Sequence, residues 1–446
     1  MKLKIMIKLK IVLLFGCCLF FSLMQSQELL TKAQAVKLVL KQNFDIQIAN
    51  NNVEIAENNA GILNSGYLPS LNAQAGSDFS RQDRLAEIEG RDPIDQNNLD
   101  SENYRANLNL NYTLFDGLGR LYTYKRLQEE YDLSELQARE TIENTLIQLF
   151  SVYYEVARRF ENVEVLRQTL NLSKDRLKRV EYLFDYGQVN KLQVLNAEVD
   201  VSNDSINFVN EQQVLDNAKR DLMVVINTDL SEGFKVDTDV VFTPMLKIEQ
   251  SVEDHEINNV SLLQIEKNLE ISAYDEKISW SGYLPTIDLL GSYGWNRNVS
   301  PESPFFPGSI QTSNAFSAGV SLNWNLFDTG QTAVRIQNAK INYENREIQK
   351  KQIEKEVNRD IQNALNNYKT RLYIFDLQEQ NVNTNQDNFQ RSENQFQSGQ
   401  ITSVEFRQAQ VNLQNAQTSY NLAKYDAKLA ELQLLQLAGQ LLNVNF

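Results

Sequence analysis

Side chains able to carry covalent or metal chemistry are scarce in this sequence. His255 is the only histidine among 446 residues, and Cys17 and Cys18 are the only cysteines. Nucleophilic catalysis needs a nucleophile and a base that meet, and His255 has no second histidine or thiol to work with. Asp237 and Asp239 could share a cation, but solvated loop carboxylates explain them as well. Gly117 and Gly119 mark a strand-to-helix turn and lack the rest of a phosphate-cradling loop. The expectation is no catalytic residue, no cofactor and no metal, hence not an enzyme.

The elements that would have to position any such chemistry are built twice. Leu-Asn-Leu-Asn-Tyr-Thr-Leu-Phe-Asp from Leu108 returns as Val-Ser-Leu-Asn-Trp-Asn-Leu-Phe-Asp from Val320, 212 residues later. The same offset carries Leu149, Val156, Val163, Leu170, Leu177 and Phe184 onto Ile361, Tyr368, Phe375, Val382, Phe389 and Phe396, each set spaced by seven. Upstream, Ser65-Gly-Tyr-Leu-Pro69 returns as Ser281-Gly-Tyr-Leu-Pro285 at an offset of 216, so a net four residues separate the registers across the intervening loop. An alternating strand and a heptad helix in one shared register indicate a tandem-duplicated unit.

Within each unit the spacing predicts a helix (31–64 and 256–280), a stop at Gly-Tyr-Leu-Pro, two strands, a long helix (120–185 and 331–397), a glycine turn, and a second helix to about 226 and 438. Each long helix extends about 100 Å at 1.5 Å per residue, more than a globular domain needs. Residues 82–103 and 298–314 are expected as exposed loops between the strands. The expected division is a signal peptide over 1–26, a first repeat over 27–226, a linker with short structure over 227–255, and a second repeat with its tail over 256–446.

Lys2, Lys4, Lys8 and Lys10 precede an apolar run from Ile11 to Leu23, followed by Ser22, Gln25, Ser26 and Gln27, the pattern of a secretory signal cleaved after Ser26. Leu19, Phe20 and Phe21 carry the apolar run past Cys17, which disfavours lipidation there. A mature chain without cysteine suits a bacterial envelope protein stabilised by size or oligomerisation rather than disulfides. The formal charge of −15 disfavours nucleic acid as a partner. Seven prolines and 17 glycines are few for several globular domains and fit long helices.

The strands place Leu, Ala, Val and aromatics on one face, and Asn, Ser, Thr and Gln on the other. Phe79, Tyr104, Tyr112, Tyr293, Trp295, Phe316 and Trp324 gather toward strand ends on the apolar face, as lipid-facing strands with aromatic girdles do. Four strands cannot close a barrel in lipid, where open edges are not tolerated, so the barrel must be shared. Two chains would give eight strands with a filled interior, three would give twelve with a water-filled lumen, and the pattern alone leaves both open. The heptads imply helix packing into a bundle or larger helical wall, whose polar faces, rich in Gln, Asn, Glu and Arg, would line a space if the helices surround one and are otherwise solvated.

Helix, Gly-Tyr-Leu-Pro, strand, loop, strand, Leu-Phe-Asp, long helix, glycine turn and helix, given twice after a signal, resembles the TolC family of outer-membrane efflux proteins across residues 31–440. The fold class this implies is mainly α with membrane β: a homotrimer in outer-membrane lipid, with a 12-stranded barrel continued by a long periplasmic α-helical barrel. The function it implies is the outer-membrane channel of a tripartite efflux or secretion system, served by a periplasmic adaptor and an inner-membrane pump. The alternative is a non-conducting structural coiled coil anchored in the envelope. By the same resemblance, Tyr186, Gly187, Gln188 and Val189, with Ser398, Gly399, Gln400 and Ile401, are adaptor-contact turns. The periplasmic gate falls at Glu405 and Gln408, with Gln193 and Asn196 in the first repeat. Aspartates are frequent at the Glu405 and Gln408 positions in that family, so this chain departs toward a single ring of carboxylates.

Overall fold

The computed structural model describes residues 29–229, 233–302 and 307–444; the expected signal segment, with Cys17 and Cys18, lies outside them. In chain order, β1 (Leu29–Leu30) leads to α1 (Lys32–Gln42), α2 (Phe44–Ala60), β2 (Ser70–Ala86), β3 (Ile94–Phe115), α3 (Gly119–Asp185) and α4 (Lys191–Ile226). β4 (Lys235–Val236), α5 (Met245–Glu253) and α6 (His255–Asn258) follow, then α7 (Val260–Trp280), β5 (Thr286–Ser300), β6 (Ser309–Asn323), α8 (Gln331–Gln397) and α9 (Ser403–Leu437). Two compact units draw on both repeats: the described parts of Met1–Asn51, Leu136–Leu263 and Ile353–Phe446 form one, and those of Asn52–Glu135 and Gln264–Gln352 the other.

The second unit carries the sheet, antiparallel throughout, in the order β2-β3-β5-β6. Its strands are 17, 22, 15 and 15 residues long. Much of 82–103 is therefore a paired ribbon rather than loop, locked by Arg81 to Asp100 at 2.6 Å and Ser80 to Ser101 at 2.7 Å. Those residues are mostly polar, with Leu85, Ile94 and Leu99 scattered among them, so the period-two signal fades although the hydrogen-bond ladder continues. At the other end β6 stops at Asn323, short of the expected Trp324 and Leu326, and the Trp324 indole donates to the Tyr283 carbonyl at 3.1 Å.

The long helices begin at Asp-Gly turns. Asp116 accepts from the Arg120 amide at 2.8 Å and Asp328 from the Thr332 amide at 2.7 Å, satisfying amides that the first helical turn leaves without partners. α3 and α8 each run 67 residues. Each ends in a glycine with positive φ, Gly187 at 71° and Gly399 at 74°. There the Gln188 and Gln400 amides reach back to the Leu183 and Gln395 carbonyls at 2.8 Å, closing a Schellman turn.

In the first unit heptad residues supply core positions: Leu149, Val156 and Val163 are buried with Tyr153, Tyr154, Leu222 and Tyr425, Tyr368 with Ile248 and Leu434, and Ile361 with Leu262 and Val357, while Phe184 at the helix end stays exposed. The Tyr153 hydroxyl donates to the Leu30 carbonyl at 2.6 Å and accepts from the Asp237 amide at 2.9 Å, holding the short β1–β4 pair. Burial pushes its pKa well above the usual tyrosine value. Asp237 is neutralised by Lys32 at 2.5 Å, and the His255 ring meets the Val252 carbonyl and the Asn358 amide oxygen.

The single helix expected over 31–64 is broken at Asn43, whose ψ of 135° leaves the helical region. Its side chain accepts from the Asp45 and Ile46 amides to start α2, and donates to the Val225 carbonyl at the end of α4. Asn259, 216 residues on, repeats the arrangement with Ser261, Leu262 and the Leu437 carbonyl. One buried amide at each site thus caps one helix and ties down the end of another.

Candidate functional site

Two regions carry the features a membrane conduit needs, a two-faced sheet in one unit and the glycine-turn ends of the long helices in the other. On one sheet face Asn72, Asn109, Ser292 and Ser317 lie in a single row across the four strands. Ser292 and Ser317 share a hydrogen bond at 2.7 Å, and the row borders an open hollow of about 570 Å³. Toward the hairpin tips Arg105 pairs with Asp78 at 3.0 Å, and at the opposite end the Thr113 hydroxyl donates to Asp288 at 2.7 Å. The stretch between is wetted by neutral amides and hydroxyls.

The other face is apolar. Leu71, Leu108, Leu110, Leu289, Tyr293 and Phe316 border a shallow groove with almost no polar lining. Phe316 is 76% exposed and Val320 65%. A continuous field of exposed large apolar side chains is stable only against lipid or another protein. The outer edges of β2 and β6 have no strand beside them among the described residues. No described helix is long and apolar enough to cross a membrane.

At the glycine-turn ends of the long helices the turn residues stand out from the chain. Tyr186 is 81% exposed, Gly187, Gln188, Ser398, Gly399 and Gln400 are exposed, and Val189 and Ile401 are half-buried. The Asn190 side chain caps α4 through the Gln193 amide, and Thr402 with Glu405 forms a capping box on α9. Between the two helix starts lies a cleft of about 480 Å³ that includes Gln193, Asn196, Asp200, Thr402 and Arg407 in its lining. Glu405 turns back instead: its carboxylate accepts from the Thr402 amide at 2.7 Å and hydroxyl at 2.8 Å. Those bonds hold its pKa below the ordinary glutamate range. Gln408, also exposed, donates to Asn412 at 2.8 Å.

Behind the cleft is a charge network that pattern reading missed. Arg407 on α9 grips Asp204 on α4 with two bonds of 2.7 Å, and Asp204 accepts from the Ser173 hydroxyl on α3 at 2.6 Å. Arg176 pairs with Asp200, and Gln410 donates to Ser173 and to the Thr169 carbonyl. Asp204 is 1% exposed and Arg176 3%, and burial lowers the Arg176 pKa. Two arginines and two aspartates cancel, so the network needs no counter-ion to be buried. One sequence signal was present: Ser173 interrupts Leu166 and Val180 in their seven-residue spacing, where an apolar side chain would continue the core.

Residues 35–228 and 252–440 match the outer membrane efflux protein family. The chain is 22% identical over 380 residues to the outer membrane protein TolC of Vibrio cholerae, covering 84% of this chain and 83% of that protein. It is 22% identical over 438 residues to TolC of Escherichia coli K12, covering 95% and 84%. Among solved structures, the Campylobacter jejuni CmeC outer membrane channel superposes with a TM-score of 0.74 at 16% identity, covering 92% of this chain and 86% of that one. For VceC of Vibrio cholerae the TM-score is 0.71 at 14% identity, covering 92% and 96%. The chain shares its fold with these channels and belongs to the outer membrane efflux protein family, with its sheet in the outer membrane and its long helices in the periplasm.

Proposed function

We propose that three copies assemble into a 12-stranded barrel continued by a periplasmic helical barrel, and that the assembly passively conducts substrates delivered by an inner-membrane pump through a periplasmic adaptor. The observation that carries this reading is the four-stranded sheet, lipid-suited on one face and hydrated on the other, with both edges open. Three copies are favoured over two because the Asn- and Ser-lined hollow suits a water-filled lumen, which twelve strands leave room for and eight do not. Conductance of the purified protein in a planar bilayer, measured with its oligomer mass, tests the reading. A closed, non-conducting dimer would favour the structural coiled coil instead.

In this reading the glycine turns meet the adaptor. No atom lies within 4 Å of a Cβ built on Gly187 or Gly399, so a larger side chain meets no clash inside the chain and costs only the positive-φ strain, about 1 kcal/mol each. Gly187→Trp and Gly399→Trp are therefore expected to leave trimers intact while blocking pump assembly. Pull-down of the adaptor and drug susceptibility of the host check this, and normal resistance would count against it.

The gate in this reading is Glu405 and Gln408 with Gln193 and Asn196, and its only carboxylates come from Glu405. A ring of them would attract cations. Glu405→Gln preserves the capping box, which accepts Gln as well as Glu, and is expected to remove most of the cation preference in reversal-potential measurements without loss of folding. Because folding lowers the Glu405 pKa, its charge and cap persist at neutral pH and are lost only as acid reaches below the usual glutamate range. An unchanged reversal potential in the variant would remove Glu405 from the gate.

A further inference from the structure

In a chain whose formal charge is −15, a hollow in the helical unit is lined by two lysines and no carboxylate. It holds about 340 Å³ and lies where the linker after β4, helix α5, helix α9 and the tail meet. Small-molecule pockets typically occupy roughly 300–1,000 Å³. Phe242, Pro244, Leu435 and Val444 supply apolar walls, and Lys247 and Lys428 supply charge. Apolar walls with a few convergent polar groups are the ordinary make-up of a ligand site.

The two lysines are not equivalent. Lys428 is 7% exposed, and its ammonium donates to Glu431 at 2.6 Å and to the Val241 carbonyl at 2.7 Å, so its charge is cancelled. Lys247 is exposed and has no ion-pair partner among the described residues. Glu249, two residues along α5, is drawn to Lys369 at 3.6 Å. Lys247 also stands in the first turn of α5, where Pro244 holds the cap position and no side-chain oxygen accepts from the leading amides. The Thr243 hydroxyl beside it is committed to Glu431 at 2.8 Å. A cation at the amide end of a helix dipole weakens the helix, and a bound anion would offset both.

We propose that this hollow binds a small organic carboxylate with an apolar body, the carboxylate on Lys247 and the body against Phe242, Leu435 and Val444. An inorganic anion would leave the apolar walls in water, and a neutral solute would leave Lys247 without a counter-charge. The ligand bridges the linker and α5 to α9 and the tail, so its binding stabilises the helical unit. The site uses residues of one unit only.

Titration of the full-length protein in detergent with 3-phenylpropionate, followed by saturation-transfer NMR, tests the site. Saturable binding with a dissociation constant on the order of 1 mM is expected. Lys247→Gln removes an exposed charge and is expected to weaken binding about tenfold, as is exchanging the acid for neutral 3-phenylpropionamide. Asn443→Trp, at an exposed tail position, fills the hollow and is expected to abolish saturable binding. The detergent is the same in every sample, so partition into micelles cancels in these comparisons. Thermal midpoints without ligand check that each variant is folded. Equal affinity for acid and amide, or for the wild type and Lys247→Gln, overturns the carboxylate site. Undiminished binding by Asn443→Trp places the ligand elsewhere and overturns the pocket, as does a wild type that shows no saturable binding. Binding that appears only after residues 445–446 are deleted makes the chain's own end the occupant and overturns the proposal equally.

Discussion

Asp204→Ala is expected to destabilise the helical unit by about 3–5 kcal/mol, the cost of leaving a buried charge without its partner. Asp204 receives two bonds from Arg407 and one from Ser173, so its loss weakens the hold of α9 on α3 and α4. Arg407 keeps its contact to the Ser173 hydroxyl at 3.2 Å and a longer one to Asp200 at 3.6 Å. In the proposed channel those helices frame the cleft behind the glycine turns, so the variant is expected to leak as well as to melt earlier. Thermal unfolding in detergent and single-channel conductance read the two effects. Asp204→Leu combined with Arg407→Met should recover most of the lost stability, since an apolar pair of similar volume carries no desolvation cost. Equal losses in the single and double variants would show that the helices are held by something other than this pair.

Gly439→Ala is expected to cost about 2–4 kcal/mol, from overpacking together with positive-φ strain. A Cβ there would stand 2.1 Å from the Asn258 carbonyl oxygen and 2.4 Å from its carbon, with φ at +68°. The obstacle is backbone and cannot rotate away. Moving it would also disturb Arg139, whose guanidinium donates to the carbonyls of both Asn258 and Gly439 and pairs with buried Glu143. Burial raises the Glu143 pKa despite that arginine, so loosening Arg139 favours the protonated acid further. Denaturation midpoints compared with Gly187→Ala isolate the steric part, because Gly187 shares the positive φ but has no neighbour within 4 Å. Similar midpoints for the two variants would mean that the contact relaxes cheaply.

The features legible in the sequence are those written as a period. Leu149 and Ile361 lie on seven-residue stripes, and the structure buries both. Leu108 and Val320 lie in alternating runs, and the structure places both on the apolar sheet face. Gly187 and Gly399 mark turns because little else tolerates their φ. The ribbon beyond Phe79 was unreadable for the opposite reason, since its residues are mostly polar without a regular apolar face and the partner strand keeps them extended. Asn43 was read as one more polar helix residue. Its role depends on the Val225 carbonyl, 182 residues away in the chain.

The candidate site divides in the same way. Duplication, strand faces, helix lengths and turn glycines are local regularities, and local sterics and hydrophobic periodicity are enough to impose them. Which polar residues become buried partners is not local: Ser173, Arg176, Asp200, Asp204 and Arg407 come from three helices that meet only after the chain has folded. The tertiary structure also turned Glu405 back onto Thr402 and set the register of β3 on β5, because hydrogen-bond geometry and packing choose among arrangements that the pattern of apolar residues leaves equivalent.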